Sequence, residues 1–113
     1  MELTPHGLPA YKTYSQAGTN RIVYCYECQV FHVYYGTICI DMGRQAVETL
    51  ANSLRAYLAC YEGSVPPNER CIEVGTPYRS VRFLFSVMDL SNFSKMLIDA
   101  YQAYDLQRQA MNN

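Results

Sequence analysis

The sequence lacks tryptophan and is poor in charge. It has only two lysines, and charged side chains make up 17% of its 113 residues, against roughly 25% in typical globular chains. Nine basic and ten acidic side chains leave a net charge of −1, which disfavours binding driven by phosphate neutralisation. All apolar runs are shorter than the roughly eighteen residues that a membrane helix needs. We therefore expect neither nucleic acid nor a membrane as a partner.

Tyrosine and cysteine are abundant instead, with eleven tyrosines and five cysteines. The opening residues, 1–7, carry neither the basic nor the apolar region of a signal peptide, which predicts a cytoplasmic protein. In that reducing compartment the five cysteines, an odd number, are expected to be free thiols. Few charges and a net charge near zero promote association, so we expect a homo-oligomer, specifically a homodimer, or a protein partner.

β-branched and aromatic residues dominate residues 21–42 and predict strands. A single straight strand over 21–35 would run about 50 Å, far beyond the ~14 Å radius of gyration of a chain this long. The chain must therefore reverse near the polar residues Glu27 and Gln29. A second reversal near Gly36 completes a predicted three-stranded meander.

The remaining elements are predicted in the order helix, hairpin, helix. Helical spacing of apolar residues predicts the two helices at 44–62 and about 90–107. Strand-forming residues on either side of a Gly-Thr-Pro turn predict the hairpin at 70–87. Asp41 and Asp89 are expected as N-caps, and Met88 with Phe93 as a hydrophobic staple. This order predicts an α+β fold in which both helices pack on one face of an antiparallel sheet of about five strands. The expected organisation is an irregular N-terminal arm (1–20), a single α+β domain (21–108) and a frayed C-terminus (109–113).

The most specific local motif is the C-x-x-C pair Cys25-Tyr26-Glu27-Cys28. On a straight strand the two thiols would point to opposite faces, but a reversal centred on Tyr26 and Glu27 would let the sulfurs converge. Such a pair can form half of a tetrahedral zinc site or a reducible disulfide, or it can be two structural thiols. A complete zinc site would need further ligands, for which the candidates are His32, Cys39, His6, Cys71 or a second subunit.

Thiol catalysis is the other chemistry that these residues suggest. His32 follows Cys28 by four residues, but four residues of strand span about 13 Å, so no direct hydrogen bond is expected along one strand. The sequence therefore favours a solvent-facing His32 and assigns no catalytic residue. A thiol-dependent enzyme would require Cys25 or Cys28 to titrate well below about 8.5.

The tyrosines suggest an interaction surface. Tyr24, Tyr26 and Tyr34 are expected to alternate on strands, and tyrosine is enriched while lysine is depleted at interface cores. The function that we expect is a small cytoplasmic interaction or regulatory module that self-associates and has no catalytic activity. The alternatives are a zinc-binding protein that uses Cys25 and Cys28, and a thiol-dependent enzyme.

A pattern of short motifs runs through residues 22–105. It consists of Tyr24-Cys25-x-x-Cys28, then Phe31-His32-Val33-Tyr34-Tyr35-Gly36, and then Thr76-Pro77 ahead of Val81-Arg82-Phe83-Leu84-Phe85-Ser86. In these motifs the chain resembles a family of small uncharacterised bacterial proteins, of the domain-of-unknown-function kind found in Bacteroidetes. The resemblance implies a compact α+β domain and leaves the activity unassigned.

Overall fold

The computed structural model describes residues 10–111, which form six strands and two helices. In chain order these are β1 (Tyr11–Ala17), β2 (Asn20–Cys25), β3 (Val30–Tyr35), β4 (Ile38–Met42), α1 (Arg44–Tyr61), β5 (Ile72–Gly75), β6 (Arg82–Phe85) and α2 (Val87–Met111). The predicted α+β class is confirmed.

Strands β1 to β4 form an antiparallel meander in sequence order. Side chains alternate between its two faces, and both helices pack on one of them, α2 on β1 and β2, α1 on β3 and β4. We call this the inner face; its buried residues are Ile22, Tyr24, Phe31, Val33, Tyr35, Ile40 and Met42. The opposite side is the outer face, formed by Tyr11, Thr13, Arg21, Val23, Cys25, Val30, His32, Tyr34, Cys39 and Asp41.

The strands make two sheets instead of the single sheet that was expected. β5 and β6 pair only with each other, because their buried side chains are held by a helix: the rings of Phe83 and Phe85 lie 6.1 and 5.6 Å from that of Phe93 in α2. Their loop reaches β4 through one side chain, the Tyr78 hydroxyl, which donates to the Asp41 carbonyl oxygen at 2.9 Å. One hydrophobic core nevertheless includes residues of both sheets.

The expectation of an irregular arm over residues 1–20 is wrong for its second half. Residues Tyr11–Ala17 form β1, which turns into β2 through Gly18 at a φ of 62°. A shift of register between Thr13 and Ser15 interrupts the alternation of the strand, as a β-bulge does. That bulge explains why no sustained period is visible in the sequence. Residues 1–9 of the expected arm lie outside the described part of the chain.

Helix α2 begins earlier and ends later than predicted, and its first turn is built by Ser86. The Ser86 Oγ accepts the Asp89 N–H at 3.0 Å, while Asp89 Oδ2 accepts the Ser86 N–H at 2.9 Å. This reciprocal arrangement is a capping box, so Asp89 lies three residues inside the cap. The helix continues to Met111, through residues that were expected to fray.

Two further details of the helix starts differ from expectation. Gly43, not Asp41, is the N-cap of α1, and no side chain caps that end. Met88 is 48% exposed, so it does not form the expected staple with the buried Phe93. The bounds of α1 itself agree with the prediction to within one residue.

Candidate functional site

A tight turn between β2 and β3 holds the C-x-x-C pair. The Gln29 N–H donates to the Cys25 carbonyl oxygen at 2.8 Å, and Gln29 adopts a φ of 59°. Within this turn the Cys28 N–H donates to Cys25 Sγ at 3.3 Å. Both thiols are free, and they interact with each other. The chain therefore reverses where the sequence requires it, and the reversal brings the Cys28 backbone onto the Cys25 sulfur.

His32 reaches the same place from the neighbouring strand. In the ladders Val23 pairs with His32 and His32 with Asp41, while Cys25 pairs with Val30. Cys25, His32 and Asp41 thus share the outer face. Nδ1 of His32 lies 2.5 Å from Asp41 Oδ1, and Cys25 is near enough to raise the pKa of His32.

This contact changes the interpretation of His32. Spacing along one strand excluded a bond between His32 and Cys28, but β3 folds back along β2 and places His32 on the same face as Cys25, two positions from its partner Val30. Asp41, which was expected to cap a helix, accepts the imidazole Nδ1–H and leaves Nε2 available to take a proton. The sequence did hold a usable signal: once the turn is placed over residues 26–29, antiparallel pairing sets His32 two positions beyond the partner of Cys25.

The thiol pair is electrostatically asymmetric. Cys25 is only 2% exposed, and burial raises its pKa, but hydrogen bonds from Cys28, from the Glu27 backbone and from His32 outweigh burial and hold the pKa below its ordinary value. The pKa of the exposed Cys28 is raised, first by its hydrogen bond with Cys25 and then by the charge of that sulfur. The two thiols therefore titrate as an interacting pair, in which the negative charge is favoured on Cys25.

Two more side chains shape this cluster. The hydrogen bond with Asp41 raises the pKa of His32, against the opposing effect of partial burial, and contact with Cys25 raises it further. Tyr11 pairs with Cys25 across the β1–β2 ladder, and its ring lies 6.3 Å from that of His32. Tyr11 and His32 thus flank the Cys25 thiol, while Cys28 is the sulfur exposed to solvent. We call Tyr11, Cys25, Cys28, His32 and Asp41 the thiol cluster.

The other zinc ligands suggested by the sequence are not brought to this cluster. Cys39 lies on the outer face but pairs with Tyr34, one step along β4 from Asp41. Cys71 is exposed just before β5, and His6 lies outside the described residues. Among residues 10–111 no group of three or more His, Cys, Asp or Glu side chains is arranged to hold a metal ion. Zinc binding at Cys25 and Cys28 remains a prediction.

The three tyrosines expected at an interface do not share a surface. Tyr24 is 5% exposed and packs in the core, because it lies on the inner face of β2. Tyr26 lies in the turn, where its hydroxyl hydrogen-bonds to that of Tyr14. Tyr34 lies on the outer face beneath the Arg21 guanidinium, 4.2 Å from its ring centroid. The structure therefore corrects the expected surface, since only Tyr34 remains on a free sheet face.

Comparisons with protein-family models, with curated proteins and with solved structures find no match to this chain. The resemblance to the Bacteroidetes family is not tested by them and stays a prediction. Neither helix in residues 10–111 has the length and apolar character needed to cross a membrane.

Proposed function

We propose that this protein is a thiol–disulfide exchange module in which Cys25 and Cys28 alternate between a dithiol and a disulfide. The observation that carries the proposal is the turn itself, which directs the Cys28 N–H onto Cys25 Sγ and sets His32 on the same face of the neighbouring strand. A backbone N–H and an imidazolium both stabilise a thiolate. This is the third hypothesis drawn from the sequence, and the direction of the Cys25 pKa shift, below its ordinary value, supports it.

The exposed Cys28 is the sulfur that a disulfide of a partner molecule can reach. Its proton passes to the Cys25–His32 pair, and its sulfur attacks one sulfur of that disulfide, forming a mixed disulfide and releasing the first partner thiolate. The Cys25 thiolate then attacks the Cys28 sulfur, closes the intramolecular disulfide and releases the second partner thiolate. Two electrons and two protons pass to the partner, which leaves as two thiols.

His32 and Asp41 supply the proton handling in this scheme. His32 accepts the proton that leaves the thiol pair and gives it to the departing partner thiolate. Asp41 bonds Nδ1, which orients the ring and favours the imidazolium. Both residues are therefore expected to change the rate of exchange more than the stability of the fold.

The test is exchange with oxidised glutathione, followed by acid quenching, alkylation and intact mass. Wild-type protein should lose two alkylatable thiols per chain through one disulfide between Cys25 and Cys28. Cys25→Ser should stop at a stable glutathione adduct on Cys28. Cys39→Ser, which removes an outer-face thiol outside the pair, is the matched control and should behave as wild type. A pair that stays reduced, or that reacts no faster than Cys39, contradicts the proposal.

Zinc content of the same protein, purified without chelator, separates the second hypothesis from this one. If the protein holds about half an equivalent or more of zinc per chain, and this zinc protects Cys25 and Cys28 from alkylation, the zinc-binding hypothesis would replace that of thiol exchange. Self-association and a protein partner remain expectations from the low charge. Native mass at high micromolar concentration tests the expected homodimer, and a strict monomer would count against it.

A further inference from the structure

A cleft lies on the other side of the turn that carries the thiol pair. Its cavity of about 370 Å³ lies between this turn and the last turns of α2, and its size is in the range of small-molecule sites. We call it the tyrosine cleft; the lining residues that matter here are Tyr14, Tyr24, Tyr26, Tyr104, Gln107 and Arg108.

One side of the cleft is held by Gln107. Its Oε1 accepts from Tyr14 Oη at 2.6 Å and from Lys12 Nζ at 2.5 Å, and the Tyr26 hydroxyl bonds to that of Tyr14. The carbonyl oxygen of this amide is therefore fully used. Its Nε2, which carries two hydrogens, has no hydrogen-bond acceptor among residues 10–111 and can donate into the cleft.

Two buried tyrosine hydroxyls form the floor of the cleft, and one of their hydrogens has no acceptor among the described residues. The Tyr104 hydroxyl donates to that of Tyr24 at 3.3 Å, and Arg108 Nη1 donates to the Tyr104 hydroxyl at 3.5 Å. Whichever tyrosine donates to the other, one of the two hydroxyl hydrogens has no acceptor within the described part of the chain. Tyr24 and Tyr104 are 5% and 8% exposed. An unmatched donor at such depth is costly unless a ligand or water accepts it.

The charge of the cleft has one sign. Arg44 is engaged by Asp105, through a bond of 3.0 Å from Nε, and by Glu48. Arg108 contacts only a tyrosine hydroxyl among the described residues, and no acidic side chain of residues 10–111 lines the cavity. The exposed Arg108 guanidinium thus has no counter-ion among the described residues, nor does the Lys12 ammonium that bonds Gln107 Oε1. Burial raises the pKa of Tyr14 and Tyr24, so both hydroxyls stay protonated at neutral pH.

We propose that the tyrosine cleft binds a small organic carboxylate. The carboxylate accepts from the Arg108 guanidinium, from Gln107 Nε2 and from the spare hydroxyl of the Tyr24–Tyr104 pair, while its apolar body lies against the tyrosine rings. No thiol takes part, so this proposal and thiol exchange stand or fall independently.

The test uses 2-naphthoate as the probe, with the neutral 2-naphthamide as its matched control, in binding titrations followed by calorimetry or by NMR. We expect the naphthoate to bind with a measurable affinity and the amide to bind at least tenfold more weakly. Equal affinities, or no binding of naphthoate at tens of millimolar, would overturn the proposal. So would tighter binding of naphthyl phosphate, which would assign the cleft to phosphate esters instead.

Variants test the role of Arg108. Arg108→Met should weaken naphthoate binding roughly 10- to 100-fold, the range for a hydrogen bond to a charged group, and Arg108→Lys should recover part of the loss. Arg55→Met, which removes an exposed arginine on α1 away from the cleft, should bind as wild type. Urea unfolding verifies that each variant folds. An unchanged affinity in a folded Arg108→Met protein sinks the assignment.

Discussion

The two faces of the four-stranded sheet are made by the same strands and have opposite characters. On β3 the inner residues Phe31 and Val33 are both 0% exposed, whereas His32 between them faces outward and bonds Asp41. Alternate residues of one strand thus serve packing and chemistry. Core residues and residues of the thiol cluster therefore alternate along β3, so a substitution in one set need not disturb the other.

The faces also differ in what covers them. Two helices exclude water from the inner face, so its side chains contribute through buried apolar area. No element of residues 10–111 packs over the outer face, so its charges interact in a medium close to water and contribute little to stability. Substitutions on the inner face should therefore cause large losses in the free energy of unfolding. Substitutions on the outer face should cause small losses and should be detected mainly as changes in pKa.

The largest expected effect is on the inner face. Phe31→Ala should lower the free energy of unfolding by about 3–5 kcal/mol, because a fully buried ring is lost and a cavity remains. Urea denaturation measures it. His32→Ala, one residue along, should cost less than about 1 kcal/mol. If the Ala variant does not fold, Phe31→Leu keeps the comparison, and equal losses at 31 and 32 would refute it.

The next effect concerns the buried acid, Asp89, which accepts hydrogen bonds from Tyr35, Arg70 and Ser86. Burial opposes its ionisation, but these bonds, that of Arg70 foremost, hold its pKa below the ordinary value. Its contribution is therefore present above the unfolded pKa of about 3.9 and lost as pH falls through the lowered folded pKa. Asp89→Asn should cost roughly 1–3 kcal/mol at pH 7.

Urea midpoints of the Asp89→Asn protein and wild type at several pH values check this dependence. The difference between them should shrink below about pH 4. A difference that stays constant from pH 7 to pH 3 would show that the carboxylate charge is not what stabilises the first turn of α2.

A smaller effect belongs to the exposed acid on the outer face. Asp41 raises the pKa of His32, so the pair stabilises the fold below the unfolded pKa of about 6.5 and ceases to do so as pH rises through the raised folded pKa. Asp41→Asn should lower the His32 pKa in an NMR titration and cost less than about 1 kcal/mol, mostly at acidic pH. An unchanged His32 titration would mean that the hydrogen bond does not form in solution.

Effects of a size similar to that at Asp41 are expected in the turns at the two ends of β3, which set the register and hence which residues occupy which face. Gln29 and Gly36 have the same φ of 59°, a conformation that costs an L-residue more than glycine. Gln29→Gly should raise the free energy of unfolding by a few tenths of a kcal/mol. Gly36→Ala should lower it by about 1 kcal/mol through backbone strain alone, since an added Cβ meets nothing within 4 Å. Urea unfolding of both variants measures the two changes in the free energy of unfolding, which must have opposite signs if this account is right.

Features set by local pattern could be predicted from the sequence. β2 to β4 and α1 follow from residue type and period, and the reversal at the cysteines follows from chain length alone. β1 could not be recognised, since a bulge disrupts its alternation. The cap of α2 was readable as the pattern Ser86-x-x-Asp89, but the prediction of Asp89 as the N-cap is wrong, because Ser86 takes that position.

The thiol cluster and the tyrosine cleft depend on strand register and on contacts between residues far apart in the sequence. A local sequence pattern predicts neither. The placement of Cys25, His32 and Asp41 on one face requires the lengths of two turns to be known. The tyrosine cleft joins Tyr14 to Gln107, which are separated by 93 positions. The bulge in β1 also decides where Tyr14 points, and no periodicity in the sequence reports it.

The packing of α2 on β1 has a consequence for the order of events during synthesis. The ribosome makes β1 first and α2 last, and at about 5–20 residues per second the 69 residues between Ala17 and Val87 take roughly 3–14 s. During that time the half of the sheet that α2 covers has no partner, and Tyr24 faces solvent or another chain. A nascent chain halted before Val87 should therefore bind chaperones, whereas one that has completed α2 should release them.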